Sequence, residues 1–93
     1  MTVGVLQIEL TIPSANNLKA KRQVLQSLKD RIRRDFNVSV AEVDNNDQWQ
    51  SAVLAVVVVS NDKRFANSVL SKVVDHVSHS HDLVVDDYQI GMI

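Results

Sequence analysis

The sequence predicts an α+β fold of element order βαββαβ, with two helices on one face of a four-stranded antiparallel sheet. Three observations carry this. Apolar residues cluster or alternate as in strands in four segments, they recur at helical spacing in two, and turn or cap residues separate the segments. Residues 2–12 form the first strand, with Leu6, Ile8, Leu10 and Ile12 on one face and Gln7, Glu9 and Thr11 on the other. Pro13 stops it, and Ser14 to Asn17 make a turn in which Asn16 or Asn17 caps a helix. Leu18, Leu25, Leu28, Ile32 and Phe36 follow helical spacing, so residues 18–36 form an amphipathic helix ending at a C-cap on Asn37. Val38 to Val43 is the second strand, and the turn Asp44-Asn45-Asn46-Asp47 leads to a third at Ala52 to Val59. Ser60-Asn61-Asp62 starts the second helix, residues 62–79, with a cap followed by an acid in the first turn. Its apolar stripe is Phe65, Val69, Val73 and Val77. Residues 83–92 close the sheet as a fourth strand whose alternation shifts near Asp86. This is the ferredoxin-like arrangement, with strands ordered 4-1-3-2.

Composition narrows the function classes. Residues 1–93 are expected to make one domain, 45% hydrophobic and 23% charged, as in an ordinary soluble globule. With no cysteine, disulfides, thiolate catalysis and Cys-based metal sites are excluded. The longest apolar run, Ala52 to Val59, is far below the roughly 20 residues that span a bilayer, and Met1-Thr2-Val3-Gly4 does not open a signal peptide. A cytoplasmic location without membrane contact is the expectation.

The stretch Asn17-Leu18-Lys19-Ala20-Lys21-Arg22 resembles the S-L-K-E-K-R segment of the YlxP-like family of small bacterial proteins, a family of unknown function. Phe36 to Val43, then Trp49-Gln50, then Val59-Ser60-Asn61-Asp62, match the same family in order and spacing, so the resemblance covers essentially the whole chain. Asn17 and Ala20 depart from it, standing where Ser and Glu are usual. The resemblance implies a ferredoxin-like fold. It also implies a gene neighbourhood beside translation initiation factor two and ribosome-binding factor A, and so points toward RNA or the ribosome. It implies no activity.

The residues themselves point to an anionic partner. Lys19, Lys21, Arg22, Lys29, Arg31, Arg33 and Arg34 fall within sixteen positions against the single acid Asp30, in a chain whose net charge is −1. At 100° per residue, Lys19, Arg22, Lys29 and Arg33 lie within an arc of about 80°. Lys19, Lys21 and Arg22 also sit in the first turns, where the helix dipole disfavours cations and free N–H groups attract anions. Lys19, Lys21, Arg22, Lys29 and Arg33 are therefore the candidate nucleic-acid contacts. The competing reading is a solvated face whose long stems cover the apolar flank. Antiparallel helices would bring Arg31 and Arg34, with Arg33, toward Lys63 and Arg64, giving a second candidate anion site. Base stacking on the sheet is excluded, because the first and third strands contain no aromatic residue.

The third strand is apolar on both faces, so one face remains after the helices are covered. Val3, Val5, Val57 and Val59, bordered by Trp49, are the candidate surface for a homodimer, with the parity that faces outward left open between Val57/Val59 and Val56/Val58. His76, His79 and His81 follow no recognised metal-ligand spacing and are expected to bind none. No nucleophile elbow, Gly-rich phosphate loop or H-E-x-x-H is present, and Asp86 and Asp87 point to opposite faces of a strand. The expectation is a non-enzymatic, cofactor-free protein that binds RNA or a ribosomal particle. A homodimeric protein-interaction module is the alternative.

Overall fold

The computed structural model describes residues 1–93. Its elements are β1 (Thr2–Thr11), α1 (Leu18–Asp35), β2 (Ser39–Asp44), β3 (Ser51–Ser60), α2 (Lys63–Ser78) and β4 (Val84–Met92). The strands form one antiparallel sheet in the order β2-β3-β1-β4. The fold is the expected α+β arrangement, with each predicted boundary displaced by no more than a residue.

β1 pairs with β3 from Thr2↔Ser60 to Thr11↔Ser51 without interruption. Even-numbered positions on these two strands face the helices: Leu6, Ile8, Leu10, Ala52, Leu54, Val56 and Val58 are all buried there, with Ile12 just beyond the end of β1. Leu25, Leu28 and Ile32 of α1, and Ala66, Leu70, Val73, Val74 and Val77 of α2, complete the core. The α2 stripe is therefore rotated from the predicted one. Phe65 is 59% exposed and the small Ala66 lies inward, because α2 packs tightly on β1 at Gly4. A Cβ on Gly4 would sit 3.0 Å from Leu70 Cδ1 and 3.1 Å from Val58 Cγ1.

Caps differ from expectation in two places. The C-cap of α1 is Phe36 rather than Asn37, its N–H donating to the Ile32 carbonyl. Asp62 is itself the N-cap of α2, accepting from the Arg64 N–H at 2.9 Å, so the first turn holds no acid. Of the two candidates Asn16 and Asn17, it is Asn17 that caps α1, accepting from the Ala20 N–H at 2.8 Å. The shifted alternation near Asp86 is a bulge in β4 opposite Glu9 and Leu10, and Thr11 Oγ1 donates to Asp86 Oδ2 across it. No helix is long and apolar enough to cross a membrane.

Candidate nucleic-acid interface

Three cations of α1 lie together on its flank beside β2. Lys19, Arg22 and Lys29 line one groove of about 600 Å³ together with Gln23, Gln26, Leu25 and Glu42 of β2. None of these three cations has a hydrogen bond or ion pair within the protein. The single acid in the groove, Glu42, is already neutralised from beneath. The amide hydrogens of Leu18 and Lys19 precede the first intrahelical bond and remain unpaired by the helix. Three free cations, two amide side chains and a helix N-terminus make a surface suited to successive oxyanions.

Two of the five predicted contacts are placed otherwise. Lys21 is only 1% exposed, its Nζ donating to the Asn45 carbonyl at 2.6 Å and lying 2.8 Å from Glu42 Oε2. The Glu42 oxygen makes no hydrogen bond of its own, so that contact is an ion pair of oblique geometry. Lys21 is a structural cation and unavailable to a ligand. Arg33 donates from Nη2 to the Val40 carbonyl at 2.9 Å and keeps 46% of its side chain in solvent, tethered to β2 and outside the groove.

The second predicted anion site is not assembled. Arg31 shares a groove with His76, His79 and His81, at the other end of α2 from Lys63 and Arg64. The reason lies in the register. Ser39 pairs with Val57, three residues before β3 ends, and only residues 36–38 join α1 to β2. α1 therefore stops about 10 Å short of the sheet end from which α2 departs. Its last turn meets the far part of α2, where the Phe36 and His76 rings pack edge to face at 5.9 Å. Arg34 instead pairs with Asp35 at 3.1 Å. The hydrogen bond from Arg34 holds the Asp35 carboxyl below the usual carboxylate range, and the same bond raises Arg34.

The helix-free face of the sheet bears Val3 opposite Val59 and Val5 opposite Val57. Val56 and Val58 are buried beneath the helices, which settles the parity, and Val59 is 66% exposed. Trp49, in the loop before β3, is 54% exposed. His76, His79 and His81 form no group arranged to hold a metal ion.

The signal for Lys21 was present in the sequence: it falls on the inward line Leu18, Lys21, Leu25, Leu28, Ile32. Gln23 and Gln26 were equally legible as neighbours of Lys19, Arg22 and Lys29 at helical spacing. The Arg31–histidine grouping had no local signal, since it depends on the offset of two helices.

Residues 3–90 match a family model described as "Protein of unknown function (DUF503)". The chain is 32% identical over 71 residues to "Uncharacterized protein YlxP" of Bacillus subtilis (strain 168), covering 76% of this chain and 77% of that protein. Among solved structures, the de novo designed protein Foldit4 superimposes with a TM-score of 0.56 at 10% identity, over all of this chain and 97% of that one. A de novo designed protein with ferredoxin fold, determined by solution NMR, gives 0.54 at 12% identity over all of this chain and 84% of that one. These two likenesses concern the fold alone.

Proposed function

Starting from the fact that the chain belongs to the DUF503 family, we propose that it is a non-enzymatic RNA-binding protein whose α1 groove takes backbone phosphates. The carrying observation is that Lys19, Arg22 and Lys29 line one groove and none is committed to a protein partner. Holding three like charges together disfavours the folded state slightly, and an anionic ligand reverses the sign of that term. The absence of aromatic residues from β1 and β3 directs the reading to phosphate contacts rather than base stacking, hence to affinity without sequence preference. Ribosomal particles, as the most abundant cellular RNA, are the natural place to look.

The test is RNA binding by fluorescence anisotropy across a salt series. Three phosphate contacts give a log–log slope of about −2 for single-stranded RNA, from about −0.7 per contact. The triple variant Lys19→Glu, Arg22→Glu, Lys29→Glu should keep the circular dichroism of the native protein and lose RNA binding regardless of sequence. Native affinity in a folded triple variant sinks the proposal.

A second reading rests on the helix-free face. Val3, Val5, Val57 and Val59 together form an apolar strip that a second copy would cover, making the protein a homodimeric interaction module. Sedimentation equilibrium at high micromolar concentration should then show a dimer, dissociated by Val59→Lys and by Val57→Lys. A monomer throughout excludes this reading and leaves RNA binding untouched.

A further inference from the structure

Two shallow grooves run along α1, one holding Lys19, Arg22 and Lys29 and the other Asp30, Arg31 and Arg34; Gln26 lines both. Its side chain is exposed, and its Nε2 donates to Asp30 Oδ1 at 2.9 Å. A carboxylate oxygen only accepts, so the chemistry of this pair decides which end of the amide faces Asp30. The nitrogen lies on the Asp30 side, and the carbonyl oxygen Oε1 is turned from it. At 100° per residue, Asp30 stands about 40° round the helix from Gln26 in one direction, while Arg22 and Lys29 stand about 40° and 60° in the other. Oε1 is thereby left on the side of the cations, with no hydrogen-bond partner in the protein.

Asp30 is itself held in place. Arg33 Nη1 lies 3.7 Å from the same Oδ1, and Arg33 Nη2 donates to the Val40 carbonyl of β2 at 2.9 Å. The orientation of Gln26 is therefore referred back to the sheet through Asp30 and Arg33.

A fixed acceptor is out of place in a groove that serves phosphate alone. A phosphodiester offers only acceptor oxygens, and a freely turning amide would present its nitrogen to them. Asp30 competes for that nitrogen and opposes the turn. What Oε1 can take from a ligand is a donor. The deoxyribose–phosphate backbone carries none, whereas the ribose–phosphate backbone carries one at every nucleotide, the 2′-OH. Base N–H groups are the other donors of a nucleic acid, but Arg22 and Lys29 draw the backbone, not the bases, against this part of the helix.

We infer that Gln26 is the residue by which the α1 groove tells RNA from DNA, its Oε1 accepting from a ribose 2′-OH while Arg22 and Lys29 hold the neighbouring phosphates. Asp30 and Arg33 act through it as positioning residues. The inference rests on the phosphate reading of the groove and adds the sugar to it.

The experiment compares one sequence as RNA, as DNA and as 2′-fluoro RNA, by fluorescence anisotropy at a single salt concentration. The 2′-fluoro strand keeps the ribose pucker but has no donor. The native protein should favour RNA over both by about three- to tenfold, the size of one neutral hydrogen bond. Gln26→Leu should bring that ratio close to one. Asp30→Leu removes an acid and should tighten all three strands; equal numbers of phosphates make that gain cancel in the ratio, which should still fall because the amide is free to turn. Both positions are exposed, and circular dichroism reports that each variant is folded. Equal native affinity for RNA and 2′-fluoro RNA, or a preference that survives Gln26→Leu, overturns the inference and leaves the phosphate contacts standing. A preference that follows base sequence overturns it too, assigning Oε1 to a base N–H. An unchanged ratio in Asp30→Leu removes the positioning role. Native RNA affinity in the folded triple reversal of Lys19, Arg22 and Lys29 instead overturns the phosphate reading, and this inference with it.

Discussion

The ammonium of Lys21 has no water to turn to: it lies between the carbonyl oxygen of Asn45 and the carboxylate of Glu42, under the first turns of α1. Asn45 can offer that carbonyl because it adopts φ 61°, a left-handed conformation that Asn tolerates better than most side chains. Its own amide group then bonds Ser51 Oγ at 2.9 Å, so one residue fixes both the turn and the lysine. Removing one member of a buried pair leaves the other uncompensated. Lys21→Met should cost about 3 kcal/mol, the lower end of the range, since Glu42 retains 16% exposure and some hydration. The double change Lys21→Met, Glu42→Leu should recover most of that loss in chemical denaturation; strictly additive costs would mean the two residues do not act as a pair. A charge-density reading of the sequence missed this role, because it counts cations without asking which face of the helix each one occupies.

Between the layers, α2 packs closely on β1 at Gly4. Gly4, Ala66 and Leu70 form a three-part seam in which the missing Cβ of Gly4 lets the helix settle onto the sheet. Gly4→Ala should destabilise by about 1–2 kcal/mol through overpacking, read as a lowered denaturation midpoint with an unchanged slope. The same closeness explains why Phe65 was misread as core: periodicity ranks residues by hydrophobicity, while the seam selects for small size. Strand alternation was legible in β1, where Leu6, Ile8 and Leu10 each oppose an apolar residue of β3 on the same face. The helix offset was not legible. It follows from β2 having six residues against ten in β3, together with a connection of three, and those are properties of pairing rather than of any one segment.

Taken as a whole, the molecule separates its surfaces. The groove of Lys19, Arg22 and Lys29 lies on α1, the apolar strip lies on the opposite side of the sheet around β3, and Glu9 opposite Asp87 makes the β1–β4 part of that sheet face acidic. An RNA bound at α1 and a second copy bound at the sheet would therefore not compete, and each of the two proposed readings can fail without the other. The fold and the basic helix were readable from 93 residues, as was the inward position of Lys21, whereas the tether of Arg33 to β2 was decided by tertiary placement. The length of α1 has a further consequence. Its 18 residues extend about 27 Å, and a stacked strand rises about 3.4 Å per nucleotide along its axis. On the proposed RNA reading, one molecule laid along such a strand would cover about eight nucleotides. A footprint that small would give an oligonucleotide nearly the full interaction, and would make a longer transcript a lattice on which occupancy grows with length.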